Sequence, residues 1–389
     1  MKQVMIKRVI LVFAALLLLL PAAACRPAPA EEIKIGAVMD LTGALAGIGS
    51  LIRDGAVLAV NEINEAGGIN GAQVRLIVED GATDPTKGLE AAKKLVEVNG
   101  VKVIVGPMIS GAVMAAGPYV GERGVVIVSP SSTSPEIAGQ DWRQFVFRTC
   151  PSDALQGAAM SQLVLEGGYS KVAILVMDNT YGVGIEQVVT EELTGKADIV
   201  VTVRYDPVKL DYLTELEIIK GKNPDAVVHV GYHDDAQIVY KQALQLGLDS
   251  AKWILCEGVY AEATLEMAEA AEFMEKAAIG TRLTAPEGLA AYEEFADAYE
   301  AEFGVVPGVY ADTVYDATNM VLLAIEKVGA DDGAKISEAL REVGKNYQGA
   351  SGTITFNELG DRASGDFEVW KVVKDGDTYK YERVKVISL

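Results

Sequence analysis

Cysteine is nearly missing from this chain: three residues in 389, of which Cys25 closes an N-terminal leader and only Cys150 and Cys256 follow. Two thiols make no disulfide framework; they pair with each other or, on the simpler reading, lie buried and free. Histidine is scarcer still. His229 sits inside the apolar run AVVHVG, where a hydrogen-bonded core residue is expected, and His233 opens HDDAQIV, an acidic helix start favoured by the helix dipole. A single cluster of that kind does not make a metal site, so neither metal nor cofactor is expected. Cations are short too, 34 Lys and Arg against 55 Asp and Glu, and the acids are spread along the chain. That balance excludes nucleic acid and anionic membrane as main partners. The chain has no G-x-S-x-G elbow and no phosphate loop, and YGVGIEQ lacks the third glycine of a dinucleotide fingerprint. No enzymatic activity is expected; an exported α/β hydrolase using Cys256 is the catalytic alternative.

The leader has no run long enough to span a bilayer, which takes about 20 residues. Its apolar stretch, Val9 to Leu20, has twelve, preceded by Lys2, Lys7 and Arg8 and followed by PAAAC. Those regions are an export signal over residues 1–24. AAAC resembles the lipobox of bacterial lipoproteins, which implies lipidation of Cys25 as the mature N-terminus. Ala22 stands where such motifs usually carry Leu, so simple signal cleavage is the alternative. Residues 25–31 read as a Pro- and charge-rich tether. Without the leader's three cations the mature chain holds 31 basic and 55 acidic residues, a formal −24.

From residue 33 apolar β-type runs alternate with amphipathic helical stretches. IKIGAVMD, QVRLIVED, VKVIVGP and GVVIVSP are strands; IGSLIRDGAVLAVNEINEAGG is a helix closed by glycines, and DPTKGLEAAKKLVEVN one opened by an Asp-Pro cap. The pattern restarts after Phe147 with KVAILVMD, DIVVTVRYDP, DAVVHVGY and KWILCEG. Continuous Val/Ile runs between helices mean parallel sheets covered on both faces. Two doubly wound α/β lobes of similar size follow. Past them come two helices and a stretch from TITFN to YERV that reads as β-hairpins, with Asp375-Gly376 as a turn. Doubly wound sheets bind ligands at the carboxyl ends of their strands, so two facing lobes would share a cleft.

The strand ends differ between the halves. In the first, VSPSSTSPEI holds five hydroxyls and leads into a helix near Pro135, while GPMISG places Ser110 at a helix N-cap. Helix N-termini attract anions, so Ser110, Ser131, Ser132 and Thr133 can hold a carboxylate; capping of helices and turns is the plainer role. In the second half Tyr181 starts a helix, Tyr232 follows a strand, and Glu257 ends WILCE, where a carboxylate is costly unless paired. One lobe seeks an anion and the other offers one. A zwitterion fits between them.

Across the mature chain, IKIGAVMDLTGALAGIG, INGAQVRLIVEDGATDP, VIVGPMISG, SPSSTSPEI, FRTCPSDALQG, DNTYGVG and GTITFN in this order resemble the extracytoplasmic substrate-binding proteins of branched-chain amino-acid ABC transporters, of the Leu/Ile/Val-binding type. The resemblance implies a type I periplasmic binding protein clamshell whose chain crosses a hinge three times, with one lobe formed by 31–148 plus 281–352 and the other by 149–280 plus 353–389. It implies that Ser110 and the loop from Ser131 to Thr133 hold a ligand carboxylate, and that Glu257, with Tyr181 and Tyr232, holds an ammonium. Ile48 stands where many relatives have an aromatic residue, and an aliphatic wall suits Leu, Ile or Val. Some relatives bind urea, short amides or aromatic acids instead, and a sensor would use the same cleft. Asp153 is expected to serve the hinge or a cap. The implied partners are an amino acid and an integral-membrane permease with a separate ATPase. The protein is expected to be exported and monomeric, held to the membrane only by its lipid.

Overall fold

The computed structural model describes residues 32–389. The export signal, the tether and Cys25 lie outside the described residues. Two sheets organise the rest. The first contains β1 (Ile33–Met39), β2 (Val74–Asp80), β3 (Val103–Val105), β4 (Val126–Ser129) and β5 (Val146–Pro151), with α1 (Ala46–Glu65), α2 (Pro85–Glu97) and α3 (Ser110–Glu122) between them. Every residue of β3 and β4 is buried, as a parallel sheet covered on both faces requires. On α1, Ile52, Ala56, Ala59 and Val60 recur at helical spacing and are buried. At the start of α2 the Asp84 carboxylate accepts the Lys87 N–H at 2.8 Å, with Pro85 in the first helical position.

The second sheet contains β6 (Lys171–Met177), β7 (Asp198–Tyr205), β8 (Ala226–Val230), β9 (Lys252–Leu255) and β10 (Ala278–Thr284). Its helices are α4 (Asp153–Glu166), α5 (Thr180–Leu193), α6 (Leu213–Lys222), α7 (His233–Leu246), α8 (Glu262–Glu266) and α9 (Ala268–Ala277). The chain then returns to the first lobe as α10 (Ala290–Phe303), α11 (Ala311–Val328), α12 (Gly333–Val343) and the small ribbon β11 (Tyr347–Gly349) with β12 (Gly352–Ile354). Met320, Val321 and Ile325 of α11 pack under β1, β3 and β4 in the core of that lobe.

The C-terminal region is less uniform than a set of hairpins. A two-residue strand, β13 (Asp361–Arg362), runs parallel to β5, so the first sheet has the order β13-β5-β4-β3-β1-β2. The long hairpin is β14 (Asp366–Asp375) with β15 (Thr378–Ser388), turning at Gly376 with φ of 62°. They complete the second sheet, order β15-β14-β10-β9-β8-β6-β7. The chain thus passes between sheets after Pro151, after Thr284 and after Arg362, later each time than the boundaries at 148, 280 and 352 expected from sequence. The third displacement has a visible cause. Asp361 is paired to the fully buried Arg148 at 2.6 Å, and Arg362 donates to the Thr149 carbonyl at 3.2 Å and the Ser351 carbonyl at 2.7 Å. Those bonds keep residues up to 362 on the first sheet.

The lobes meet closely. Leu45, Ile109 and Ala112 of the first pack with Tyr232 of the second in one apolar cluster. On α5, Gly184 faces the first lobe so tightly that a Cβ would stand 2.9 Å from Ser134 Oγ and 3.0 Å from Pro135 Cδ.

Candidate functional site

Between the lobes lies a cleft with about 420 Å³ of space between atoms, part of it continuous with open solvent. Seven of the eight binding positions expected from sequence line it: Ile48, Ser110, Ser131, Thr133, Tyr181, Tyr232 and Glu257. Ser132 does not. Its hydroxyl donates to the carbonyls of Pro107 and Met108, both at 3.0 Å. Ser129 donates to Pro107 O at 2.7 Å and Ser131 to Met108 O at 3.0 Å. Most hydroxyls of this stretch therefore stitch the loop after β4 to the loop after β3, the structural role that serines in tight loops commonly fill.

Two further expectations change. The segment at Pro135 is a five-residue 3₁₀ turn, Pro135–Gly139, capped by Ser134 (Glu136 N–H to Oγ, 3.3 Å), and not an α-helix. Ser110 is the first residue of α3 and not its cap, a position taken by Ile109; its Oγ accepts the Ser134 N–H at 3.1 Å. Of the two helix starts expected beside these hydroxyls, that of α3 is the α-helical one at the cleft, together with Ser131 and Thr133.

The second lobe supplies aromatic faces and an acid. Tyr181, just after the Asn179 cap of α5, stacks on Tyr232 with centroids 5.8 Å apart and planes within 7°. Gly258 passes beside both rings at a place where a Cβ would stand 2.4 Å from the Gly231 carbonyl oxygen and 3.3 Å from Tyr232. Beneath Tyr232 lies a buried polar chain. Its N–H donates to Asp235 Oδ1 at 2.9 Å, Tyr205 donates to the other oxygen, and Tyr205 also meets His229 at 3.0 Å, whose second nitrogen meets Tyr240 at 2.9 Å. Burial pushes His229 down to about 3, so it is a neutral member of that chain. His233 begins α7 with Nε2 3.2 Å from Asp234. Among the described residues no three His, Cys, Asp or Glu side chains gather as metal ligands. Cys150 and Cys256 are both buried and unpaired with each other.

Glu257 begins the turn after β9 and is 5 % exposed. Its Oε2 accepts the Leu283 N–H at 3.2 Å. Burial, reinforced by the charge of Asp153, raises its pKa to about 8, against smaller downward pulls from that N–H and from Arg282. Arg282 is occupied elsewhere, 3.4 Å from Glu368 and 4.2 Å over the Tyr260 ring. Asp153, expected to serve the hinge or a cap, lies at the first crossing, but the cap of α4 is Ser152. Both Asp153 oxygens are buried with no hydrogen-bond partner among the described residues. They lie in the same tightly packed region as Thr133, Glu257 and Tyr310, and burial lifts this carboxyl to about 7. The rest of the cleft wall is apolar: Leu45, Ile48, Ile52, Met108 and Ile109, with Tyr310 arriving from the chain's return to the first lobe after β10.

The model of the periplasmic binding proteins matches residues 32–377. The chain belongs to the periplasmic binding protein family. The Leucine-, isoleucine-, valine-, threonine-, and alanine-binding protein of Pseudomonas aeruginosa is 31% identical over 349 residues, covering 89% of this chain and 91% of that relative. The branched-chain amino acid transporter substrate binding protein LivJ from Streptococcus pneumoniae, solved with isoleucine, has TM-score 0.79 at 28% identity, over 91% of this chain and 99% of its own. A solute binding protein of an ABC transporter from Rhodopseudomonas palustris, solved with 3,4-dihydroxy benzoic acid, has TM-score 0.78 at 25% identity, over 92% and 97%. The resemblance read from the sequence motifs is borne out, as is the fold class of two parallel-sheet lobes. Family membership places the protein outside the cytoplasm. Among the described residues no helix is long and apolar enough to cross a membrane.

Lining residues absent from the sequence reading are Leu45, Ile52, Met108, Ile109, Gly258 and Tyr310, and Asp153, beside the cleft, is read there as a hinge or cap residue. For Asp153 a signal existed: an acid in the run CPSDALQG at a strand-to-helix junction is placed like Glu257. For Tyr310 none did, because it reaches the cleft from a residue with φ of 65° that lies more than fifty positions from Gly258, its nearest neighbour there in sequence.

Proposed function

We propose that this protein binds an amino acid of the leucine, isoleucine or valine kind between its lobes and delivers it to an ABC permease driven by a separate ATPase. The observation that carries the reading is Glu257, a buried carboxyl facing an apolar cleft with no cation of its own. A ligand ammonium supplies the missing charge, with Asp153 behind as a second acceptor. The hydroxyls of Ser110 and Thr133 take the carboxylate with the N-terminus of α3, while Ser131, whose hydroxyl donates to the Met108 carbonyl, lines the wall beside them. Ile48, Ile52, Met108 and Tyr310 surround an aliphatic side chain. A charge-assisted hydrogen bond contributes about 1.5–3 kcal/mol net, and burying the side chain about 1.5–3 kcal/mol. A few such terms reach micromolar affinity, about −8 kcal/mol.

Closure of the lobes excludes water, and the closed form signals occupancy to the permease because only a state that differs with ligand can do so. The protein acts as a binder and not as an enzyme: the thiol of Cys256 is pushed up by burial to about 11, far from a nucleophile at neutral pH. It acts as a monomer carried at the membrane by a lipid on Cys25. A second reading, an aromatic acid stacked against Tyr181 and Tyr232, is favoured by the dihydroxybenzoate-bound relative. It leaves Glu257 without a partner.

Two variants test the cleft assignments. In S110A/T133A, L-leucine should bind more weakly by about 1.5–3 kcal/mol for each bond lost, and L-leucinamide should be affected far less, both read by calorimetric titration. Equal losses would refute the carboxylate assignment. In G184V, the added side chain meets Ser134 and Pro135 only when the lobes are together. Overpacking of about 1–3 kcal/mol should then appear as weaker leucine binding, with the melting temperature of the ligand-free protein unchanged. Full affinity in G184V would mean that the lobes do not close on that contact.

A further inference from the structure

Arg148 lies in β5 with its side chain 0 % exposed, behind the cleft and not among the residues that line it. A guanidinium does not shed its charge, so burying one is costly unless its donors are used. Nε and Nη1 use theirs, while Nη2 has no hydrogen-bond partner among the described residues. Nη1 donates to the carbonyls of Ser132 at 3.2 Å and Ser134 at 2.8 Å, the two residues that flank Thr133. Nε donates to Asp361 Oδ1 at 2.6 Å. Asp361 belongs to β13, the strand from which the chain makes its third crossing, and β13 pairs with β5 itself. One side chain thus ties the loop of the first lobe to the strands that lead into two of the three crossings.

The peptide geometry gives this tie a direction. A trans peptide points its N–H opposite to its carbonyl. With the Ser132 carbonyl drawn onto Arg148, the N–H of Thr133 is turned away from the guanidinium, and Thr133 is the member of the pair that lines the cleft. We infer that Arg148, charge-balanced by Asp361, is a positioning residue that presets the 132–134 loop as a carboxylate receptor before the ligand arrives. The inference rests on the proposed reading of that loop as the ligand's carboxylate site. A loop already in its binding conformation loses less freedom when the ligand docks, which raises affinity without any new contact. The charge that orders the loop stays out of the cleft, while hydroxyl and backbone donors meet the ligand.

The test compares L-leucine with L-leucinamide by calorimetric titration in the unaltered protein and in R148M/D361N, which removes both charges together so that neither is stranded. The unaltered protein should prefer leucine by at least about 30-fold, and the double variant should retain no more than about threefold of that preference. A double variant that keeps the full ratio, whether its affinities fall together or not at all, overturns the positioning role, because mere loosening of the lobe weakens both ligands alike. An unaltered protein with no preference overturns instead the reading of the loop. R148K keeps the charge but cannot span Asp361 and two carbonyls, so its ratio should fall between the two; a ratio equal to that of the unaltered protein counts against the fork. Should the variants fail to fold, the Arg148 Nε–H resonance of the unaltered protein decides. It should exchange slowly both with and without leucine, and rapid exchange in the free protein would overturn the presetting.

Discussion

Replacing Glu257 by Gln should cost about 3–5 kcal/mol of leucine binding, the loss typical of a buried ion pair deprived of one partner, or two to more than three orders of magnitude in Kd. The ligand-free protein should not suffer. Glu257 is buried with one backbone N–H and no cation devoted to it, so a neutral amide of the same shape removes a desolvation cost. The expected signature of E257Q is therefore an unchanged or higher melting temperature without ligand and almost no shift with it. Loss of the fold would assign Glu257 to structure, and retained affinity would sink its role as counter-charge.

Leucine affinity should also rise with pH, steeply. The bound ammonium requires an ionised Glu257, whose pKa burial and Asp153 lift to about 8. Below that value the empty site holds a proton that binding must expel, so Kd should worsen by up to about tenfold per pH unit, approaching a thousandfold at pH 5. Above about 8 the dependence should flatten. Groups whose charge acts on this carboxyl are Asp153, which carries its own raised pKa of about 7, and Arg282, which opposes the shift. For the ligand-free fold the sign is reversed. A carboxyl with a folded pKa above its unfolded one binds more protons when folded, so stability falls as pH rises from about 4.5 to 8. Titrations in buffers of different ionisation enthalpy at pH 7 should report a proton released to the buffer on binding. Buffer-independent heats would mean that Glu257 is already ionised or does not meet the ligand.

Much of this architecture is legible in the chain because its signals are local. Runs such as VKVIVGP and GVVIV can only be strands buried on both faces, and Asp84-Pro85 or the glycines after Glu65 mark helix ends with their own chemistry. The cleft positions Ser110, Tyr181, Tyr232 and Glu257 are legible for a related reason: each directly follows a strand or opens the next element, where a doubly wound sheet gathers its ligand groups. What stayed hidden depends on distant partners. Ser132 looks like its neighbours until the Pro107 and Met108 carbonyls claim its hydroxyl. The third crossing cannot be placed without knowing that Asp361 meets Arg148 across more than two hundred residues. Yet a lone arginine inside FVFRTC was a signal in itself, since a charge in a buried strand demands a partner.

The central claim is that the cleft is built for a zwitterion, and one thermal-shift series tests it most directly. The mature protein would be melted with L-leucine, L-isoleucine, L-valine, leucinamide, urea and benzoate, each over a range of concentrations, because a ligand of the folded state raises the melting temperature with its concentration relative to Kd. The account predicts marked stabilisation by at least one of the three amino acids and little or none by leucinamide, urea or benzoate. Stabilisation by benzoate, urea or the amide alone would contradict it, leaving the two-lobed fold in place and Glu257 without its ammonium.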